Sequence, residues 1–336
     1  MIITDFCSSH IDAARNIAQS NYEAQCRYIN DLPGDVVLPD LSQFAHNNLG
    51  VAAWEEEKLI GYMGAYCPSE DAFGTTNVKG IFSPVHAHGV LLHDNLSFEH
   101  NTYKRDWVYS MLYQEVSRKW VNSGIRSHAI ALYTFDQEVI RSFFYNGFGL
   151  RCIDATRSLK EGLEEKEITF INRNAMEYCE IPSNEWGKLL DMHNALIEHL
   201  GSYPSYMKIS SISEEELYQR SGKDVRYFGV KIDKKYVAYL KISNSGESFI
   251  SDHPSMINIC GAYCEPNYRG LGLNHNLLCY LIEILKIEGN QYLGVDYESF
   301  NPNARGFWPK YFKEYTNGVV RRIDEKAVDV MMKQTG

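Results

Sequence analysis

Residues 264–285 read CEPNYRGLGLNHNLLCYLIEIL. An apolar strand, Met256–Cys264, runs into this stretch, Gly270 and Gly272 sit in a turn, and a helix follows. Leu277, Leu278, Leu281, Ile282 and Leu285 recur at three- and four-residue spacing, which makes one buried stripe on that helix. Glycines directly before a helix let the backbone close around a guest, and the free N–H groups of the first turn point at it. Those amides and the helix dipole both favour an anion, and Arg269 stands beside them as a counter-charge. Pyrophosphate is the guest this chemistry suits. The competing reading is an ordinary strand–turn–helix unit in which the glycines serve only the turn.

Strand, Arg-Gly-Leu-Gly and leucine-rich helix together resemble the acyl-CoA-binding motif of the GNAT superfamily of N-acyltransferases, R-x-x-G-x-G/A, here Arg269 to Asn274. About thirty residues on, Asn301, Ala304, Phe307, Trp308 and Lys310 resemble the second signature of that family, N-x-x-A-x-x-F-Y-x-K. The resemblance implies an α/β fold (α+β in stricter schemes) with a mixed, mainly antiparallel sheet flanked by helices. It implies transfer of an acyl group, most simply acetyl, from acyl-CoA to a primary amine carried by a small molecule or a peptide. Acetyl-CoA is then a co-substrate, and no metal is called for. Carried over residue by residue, the resemblance assigns cofactor contact to Arg269, Gly270, Leu271, Gly272, Leu273 and Asn274. It assigns the backbone of Ala262, Tyr263 and Cys264 to the pantetheine arm and the oxyanion, and makes Asn301 and Trp308 further contacts. Two departures stand out. Asn274 replaces a small residue, and Trp308 replaces the tyrosine that commonly protonates the departing thiolate.

Aminolysis of a thioester also needs a neutral amine. A lysine-like amine, with a pKa of about 10.4, must lose its proton before attack. Glu265, next to the strand end, is the first candidate for the base, with Asp252, His253 and Glu298 in reserve. A solvated loop carboxylate is the equal alternative for Glu265. Cys264 is either an acyl-carrying nucleophile or a buried strand thiol, and Tyr311 and Tyr297 are the phenols nearest the missing acid. Because a free thiol has a pKa near 8.5, the thiolate can leave at neutral pH without full proton transfer. The rival function is a CoA-binding sensor or regulatory protein that has lost turnover, motivated by Trp308.

The bulk properties fit this class. A chain of 336 residues suits two domains, and its 44% apolar content builds full cores. A net charge of −10 argues against nucleic-acid and membrane-surface partners, which would repel it. The beginning, MIITDFCSSHIDAARNIAQS, has neither a basic leader nor an apolar signal core, and eight cysteines form no CxxC pair. Together these features predict a cytoplasmic protein with reduced thiols; a homodimer is left open.

Both halves run strand, helix, hairpin, strand, helix, strand, helix. A shift of 165 aligns them without a gap from Tyr103 against Tyr268 to Phe143 against Trp308, with Gly124 on Gly289 and Phe135 on Phe300. A shared fold is the economical explanation. The expected domains are 1–158, a degenerate GNAT-like half, and 168–336, the acyl-CoA-binding half, joined by a charged linker at 159–167. At the shift of 165, Lys104 meets Arg269, Arg105 meets Gly270 and Trp107 meets Gly272, so the first half is expected to lack the cradle, with the Trp107 indole filling the phosphate space. His86 and His88, with His93 and His100 nearby, suggest at most a weak metal site or a substrate contact. Tyr203 and Tyr206 are expected either to border an acceptor pocket or simply to pack.

Overall fold

The computed structural model describes residues 1–68, 79–92, 104–168, 176–207, 210–324, 326 and 328. The chain forms two compact units, one of Met1–Asn30, Gly34–Asp154 and Glu314–Gly336, the other of Asp31–Pro33 and Ala155–Lys313. The first unit therefore takes in the C-terminal strand, which the sequence division at 158–168 does not anticipate.

In chain order the first unit contains β1 (Ile2–Asp5), α1 (Ile11–Tyr28), α2 (Ser42–His46), β2 (Val51–Glu55), β3 (Lys58–Met63), β4 (Gly80–Ser83), β5 (His88–Val90), α3 (Arg105–Asn122), β6 (Ser127–Tyr133) and α4 (Gln137–Tyr145). Strand β7 (Gly149–Ser158) then crosses the division. The second unit holds β8 (Met176–Ile181), α5 (Leu190–Gly201), α6 (Glu214–Ser221), β9 (Val225–Ile232), β10 (Lys235–Ser243), β11 (Met256–Cys264), α7 (Leu273–Ile287), β12 (Tyr292–Glu298) and α8 (Pro302–Phe307). Strand β13 (Lys313–Arg322) follows, antiparallel to β6 from Thr316 to Arg322.

Within the second unit the strand order is β12-β11-β10-β9-β8. The β9–β10 hairpin turns on Asp233 and Lys234, both at positive φ, which matches the right-handed twist of its strands. Ser213 and Glu216 form a capping box at the start of α6: Glu216 N–H donates to Ser213 Oγ, and Ser213 N–H donates to the Glu216 carboxylate. Strand β8 pairs with β9 in antiparallel register, from Met176↔Ile232 to Ile181↔Tyr227.

The repeat is visible element by element. Helices α3 and α7 end on Asn122 and Ile287, 165 residues apart, and each is followed by a glycine at positive φ, Gly124 and Gly289. Strands β6 and β12 span Ser127–Tyr133 and Tyr292–Glu298, again at 165. Asp136 caps α4 by accepting from Val139 N–H, as Asn301 caps α8 by accepting from Asn303 and Ala304 N–H.

The helix starts differ. α3 begins at Arg105, whereas the matching residues of the second unit are the glycine turn before α7. Two residues on a helix are about 200° apart, so Arg105 and Trp107 face opposite ways. Arg105, Val108, Tyr109 and Leu112 are buried, and Trp107 is 41% exposed. The expectation that Trp107 fills the phosphate space is therefore corrected. The residue buried at this end of α3 is Arg105, ion-paired with Asp136.

His88 lies in β5, buried, with its Nε2–H donating to Ala131 O at 2.7 Å and Tyr109 Oη 3.3 Å from its Nδ1. Burial lowers the pKa of both His86 and His88 to about 4, so they are neutral packing groups. No cluster of three metal-ligating side chains occurs among the described residues, and His93 and His100 lie outside them. No described helix is long and apolar enough to cross a membrane.

Candidate active site

The site begins as a broken ladder. β11 pairs in parallel with β12 from Met256↔Tyr292 to Ile259↔Val295, and there the register ends although both strands run on, to Cys264 and Glu298. On its other edge β11 stays paired with β10 as far as Ala238↔Cys264. Lys241 faces Gly261 and Ile242 faces Ile259, so Cys260 is an extra, bulged residue. A bulge bends its strand and sharpens the local twist, which accounts for β11 leaving β12 at this point. Backbone groups that would have continued the ladder are left to face a cleft of about 690 Å³.

Cys260 to Cys264 line one side of the cleft and Asp296 to Glu298 the other. Its far end is the glycine turn. Gly270 has φ +76° and Gly272, the cap of α7, has φ +88°, conformations that side-chain-bearing residues rarely adopt. The first-turn amides of α7 lack intrahelical partners and open toward this end. Arg269 is anchored by Nε–H donating to Cys264 O at 2.9 Å, and its guanidinium lies 5.3 Å from the centre of the Tyr263 ring. Asn274 brings a buried Oδ1 without a hydrogen-bond partner among the described residues, so its amide is available to a ligand.

All the residues expected above to contact the cofactor, Ala262, Tyr263, Cys264, Arg269, Gly270, Leu271, Gly272, Leu273, Asn274, Asn301 and Trp308, line this one cleft, as does Tyr311. Trp308 is buried, edge-on to Phe307 and Phe312 at 4.8 and 5.6 Å between ring centres. Glu265 is the exception. It is absent from the lining and accepts an ion pair from Lys235 Nζ at 2.9 Å. Tyr203 and Tyr206 are exposed and likewise outside the lining; from that segment Met207 is the residue that reaches the cleft.

Burial pushes the Cys264 thiol up to about 11, against which nearby Arg269 acts only in part. At neutral pH it is a thiol, and the thiolate is the nucleophile. Cys264→Ala should leave kcat within a few-fold of the parent protein; a loss of about a hundredfold or more in a thiol-release assay would restore the covalent route.

Sequence reasoning passed over three groups. The segment expected to be a linker lies along the first turn of α7: Lys166 N–H donates to Asn276 Oδ1 at 2.8 Å, and Asn276 Nδ2 donates back to Lys166 O at 2.9 Å. His275 Nε2–H donates to Glu164 O at 2.7 Å, which leaves Nδ1 to accept the Tyr311 hydroxyl at 2.8 Å. Lys166 thereby joins Arg269 and Lys310 as cations lining the cleft, which the carboxylates Glu167, Asp296 and Glu298 also line. The third group is His199, on α5. One signal was available in the sequence: Asn274, His275 and Asn276 put three polar residues at the head of a leucine-rich helix, and His275 and Asn276 are buried.

The family model of the GNAT acetyltransferases matches residues 192–312. No curated protein matches the chain. Among solved structures, a GCN5-related N-acetyltransferase from Sphaerobacter thermophilus is similar over 96% of this chain and 95% of its own, with a TM-score of 0.56 at 9% identity. A GCN5-related glucosamine N-acetyltransferase region of a fungal multi-domain GH3 beta-N-acetylglucosaminidase aligns with 95% of this chain and 38% of its own, with a TM-score of 0.50 at 11% identity. At such identities the likeness concerns the fold, which extends over nearly the whole chain. With the parted strands, the bulge and the glycine turn in place, residues 192–312 belong to the GNAT acetyltransferase family.

Proposed function

We propose that the protein transfers an acetyl or other short acyl group from acyl-CoA to a primary amine, with the cofactor held by the second unit. The observation that carries this reading is the parting of β11 from β12 beyond Ile259↔Val295, next to a glycine turn with two positive φ angles. A pantetheine arm placed in that gap continues the interrupted β11 ladder through its amides, while the α7 amides and Arg269 meet the pyrophosphate. A backbone N–H of the β11 edge then faces the thioester oxygen and stabilises the tetrahedral oxyanion. The cofactor supplies the activated acyl group; the chain supplies alignment and charge.

The test is thiol release from acetyl-CoA across lysine, putrescine, spermidine, glucosamine and a lysine-containing peptide. Release that depends on the amine supports transfer. Binding of acetyl-CoA without release from any of them supports the second reading, a CoA-binding sensor, which Trp308 at the usual acid position favours. For the same reason Trp308→Tyr is expected to leave the rate within a few-fold, about 1 kcal/mol or less in barrier, because a thiolate departs at neutral pH unaided. A marked rise would show that the missing acid limits turnover.

A further inference from the structure

His199 stands in the last turn of α5, half-buried, on the wall of the same cleft. Its Nε2 is 3.4 Å from Asn301 Oδ1. That oxygen already accepts the N–H groups of Asn303 at 3.1 Å and Ala304 at 3.4 Å, where it caps α8. The two backbone donors settle the amide orientation, because only an oxygen can receive them. An oxygen that accepts cannot donate to the imidazole, so Nε2 carries the ring proton. The neutral ring then keeps its lone pair on Nδ1, which has no partner among the described residues. A cap of α8 thus fixes the tautomer of a histidine on α5, and does so in its proton-accepting form.

We propose that His199 Nδ1 is the general base that deprotonates the acceptor amine, a role that rests on the acyl-transfer reading. The ammonium group of the acceptor gives one proton to Nδ1, and the freed nitrogen lone pair forms the C–N bond at the thioester carbonyl. The C–S bond breaks as the tetrahedral intermediate collapses. The second proton on nitrogen ends on the CoA sulfur or in solvent, and the imidazolium returns its own to solvent, so each turnover yields amide, CoA thiol and one proton. The attraction between Nε2–H and Asn301 Oδ1 strengthens as the ring becomes cationic. Glu265 takes no part, being paired with Lys235 outside the cleft lining. The charged groups sharing the cleft with His199 are Asp296 and Glu298 of β12, Glu167, Lys166, Arg269 and Lys310.

The deciding experiment measures kcat/KM against pH for the full chain and for His199→Gln, with acetyl-CoA and the best acceptor of the five amines. The glutamine amide still donates to Asn301 Oδ1 but takes up no proton. A fall of about 10²–10⁴ is expected, with the acid limb of the profile lost and acetyl-CoA affinity nearly unchanged by calorimetry. Free imidazole should restore part of the rate in His199→Ala, a response that a merely structural histidine would not give. Activity of His199→Gln within about threefold of the parent protein overturns the proposal. So does an acid limb that persists in His199→Gln and vanishes in Glu298→Gln. A parent protein that releases no thiol with any amine overturns the acyl-transfer reading and this proposal with it, whereas an active parent with an indifferent His199→Gln overturns this proposal alone.

Discussion

Gly272→Trp is expected to abolish acetyl-CoA binding, taking a calorimetric titration from one site per chain to no measurable heat. The residue caps α7 at φ +88°, and a Cβ placed on it meets the Lys166 Cβ at 3.7 Å and the Ile168 Cγ1 at 3.9 Å, ordinary contact distances. Space for one methyl group therefore exists, and the difficulty is twofold: the left-handed backbone and the volume of an indole. A side chain in the left-handed region costs about 1–2 kcal/mol, and the volume of the indole also forces the turn to rotate its amides away from the phosphate. Each hydrogen bond to a charged oxygen lost in that way is worth about 1.5–3 kcal/mol. Two lost bonds plus the strain amount to roughly 4–8 kcal/mol, a weakening of about a thousandfold or more. Gly272→Ala separates the two causes, since it meets the backbone cost alone and should weaken binding only about tenfold. Binding that survives Gly272→Trp, or two equivalent sites in the parent protein, would overturn the assignment of a single cradle to the second unit.

The strand, glycine turn and helix of that candidate cradle were legible in the sequence because they are local. A strand of nine residues, a turn with two glycines and an apolar stripe at helical spacing sit within about thirty residues, where backbone preference and periodicity act directly. The repeat was legible for a related reason: an offset of 165 brings helix ends, positive-φ glycines and capping residues into phase. What escaped the reading depends on distance along the chain. Glu164 meets His275 across 111 residues, and His199 meets Asn301 across 102. No period or spacing encodes either meeting. Glu265 shows the opposite case. It stands next to the right strand in sequence, but the β9–β10 hairpin brings Lys235 within 2.9 Å of its carboxylate, and adjacency to the strand end did not put it in the cleft lining. Trp107 was misjudged because an offset compares positions and carries no information on where a helix starts. Once α3 begins at Arg105, helical geometry sends Trp107 outward and Arg105 inward.

Arg105→Met should destabilise the first unit by about 3–5 kcal/mol, the cost of leaving a buried charge without its partner. Arg105 stands where the second unit has Gly270, and its partner Asp136 stands where the second unit has Asn301. Its Nε and Nη2 donate to Asp136 Oδ2 at 2.9 and 2.5 Å, Nη2 also to Asn21 Oδ1 at 2.8 Å, and Nη1 to Leu91 O at 3.0 Å and to Val90 O. All five N–H groups are thus used, on acceptors drawn from α1, β5, the residue after it and the cap of α4. A methionine fills much of the volume and satisfies none of them. Asp136, whose side chain is 14% exposed, would retain its capping contact to Val139 and lose its counter-ion. Asp136→Asn in the same chain removes the stranded charge while keeping the cap, so the double variant should recover most of the loss. Urea unfolding followed by hydrogen exchange assigns the change to the first unit, and a single-variant loss below about 1 kcal/mol would show that the pair is incidental. Neither variant should gain a second acetyl-CoA site. Removing Arg105 opens space at the start of α3 but leaves that start helical, without the glycine turn that turns backbone amides toward an anion, and stoichiometry should stay at one per chain.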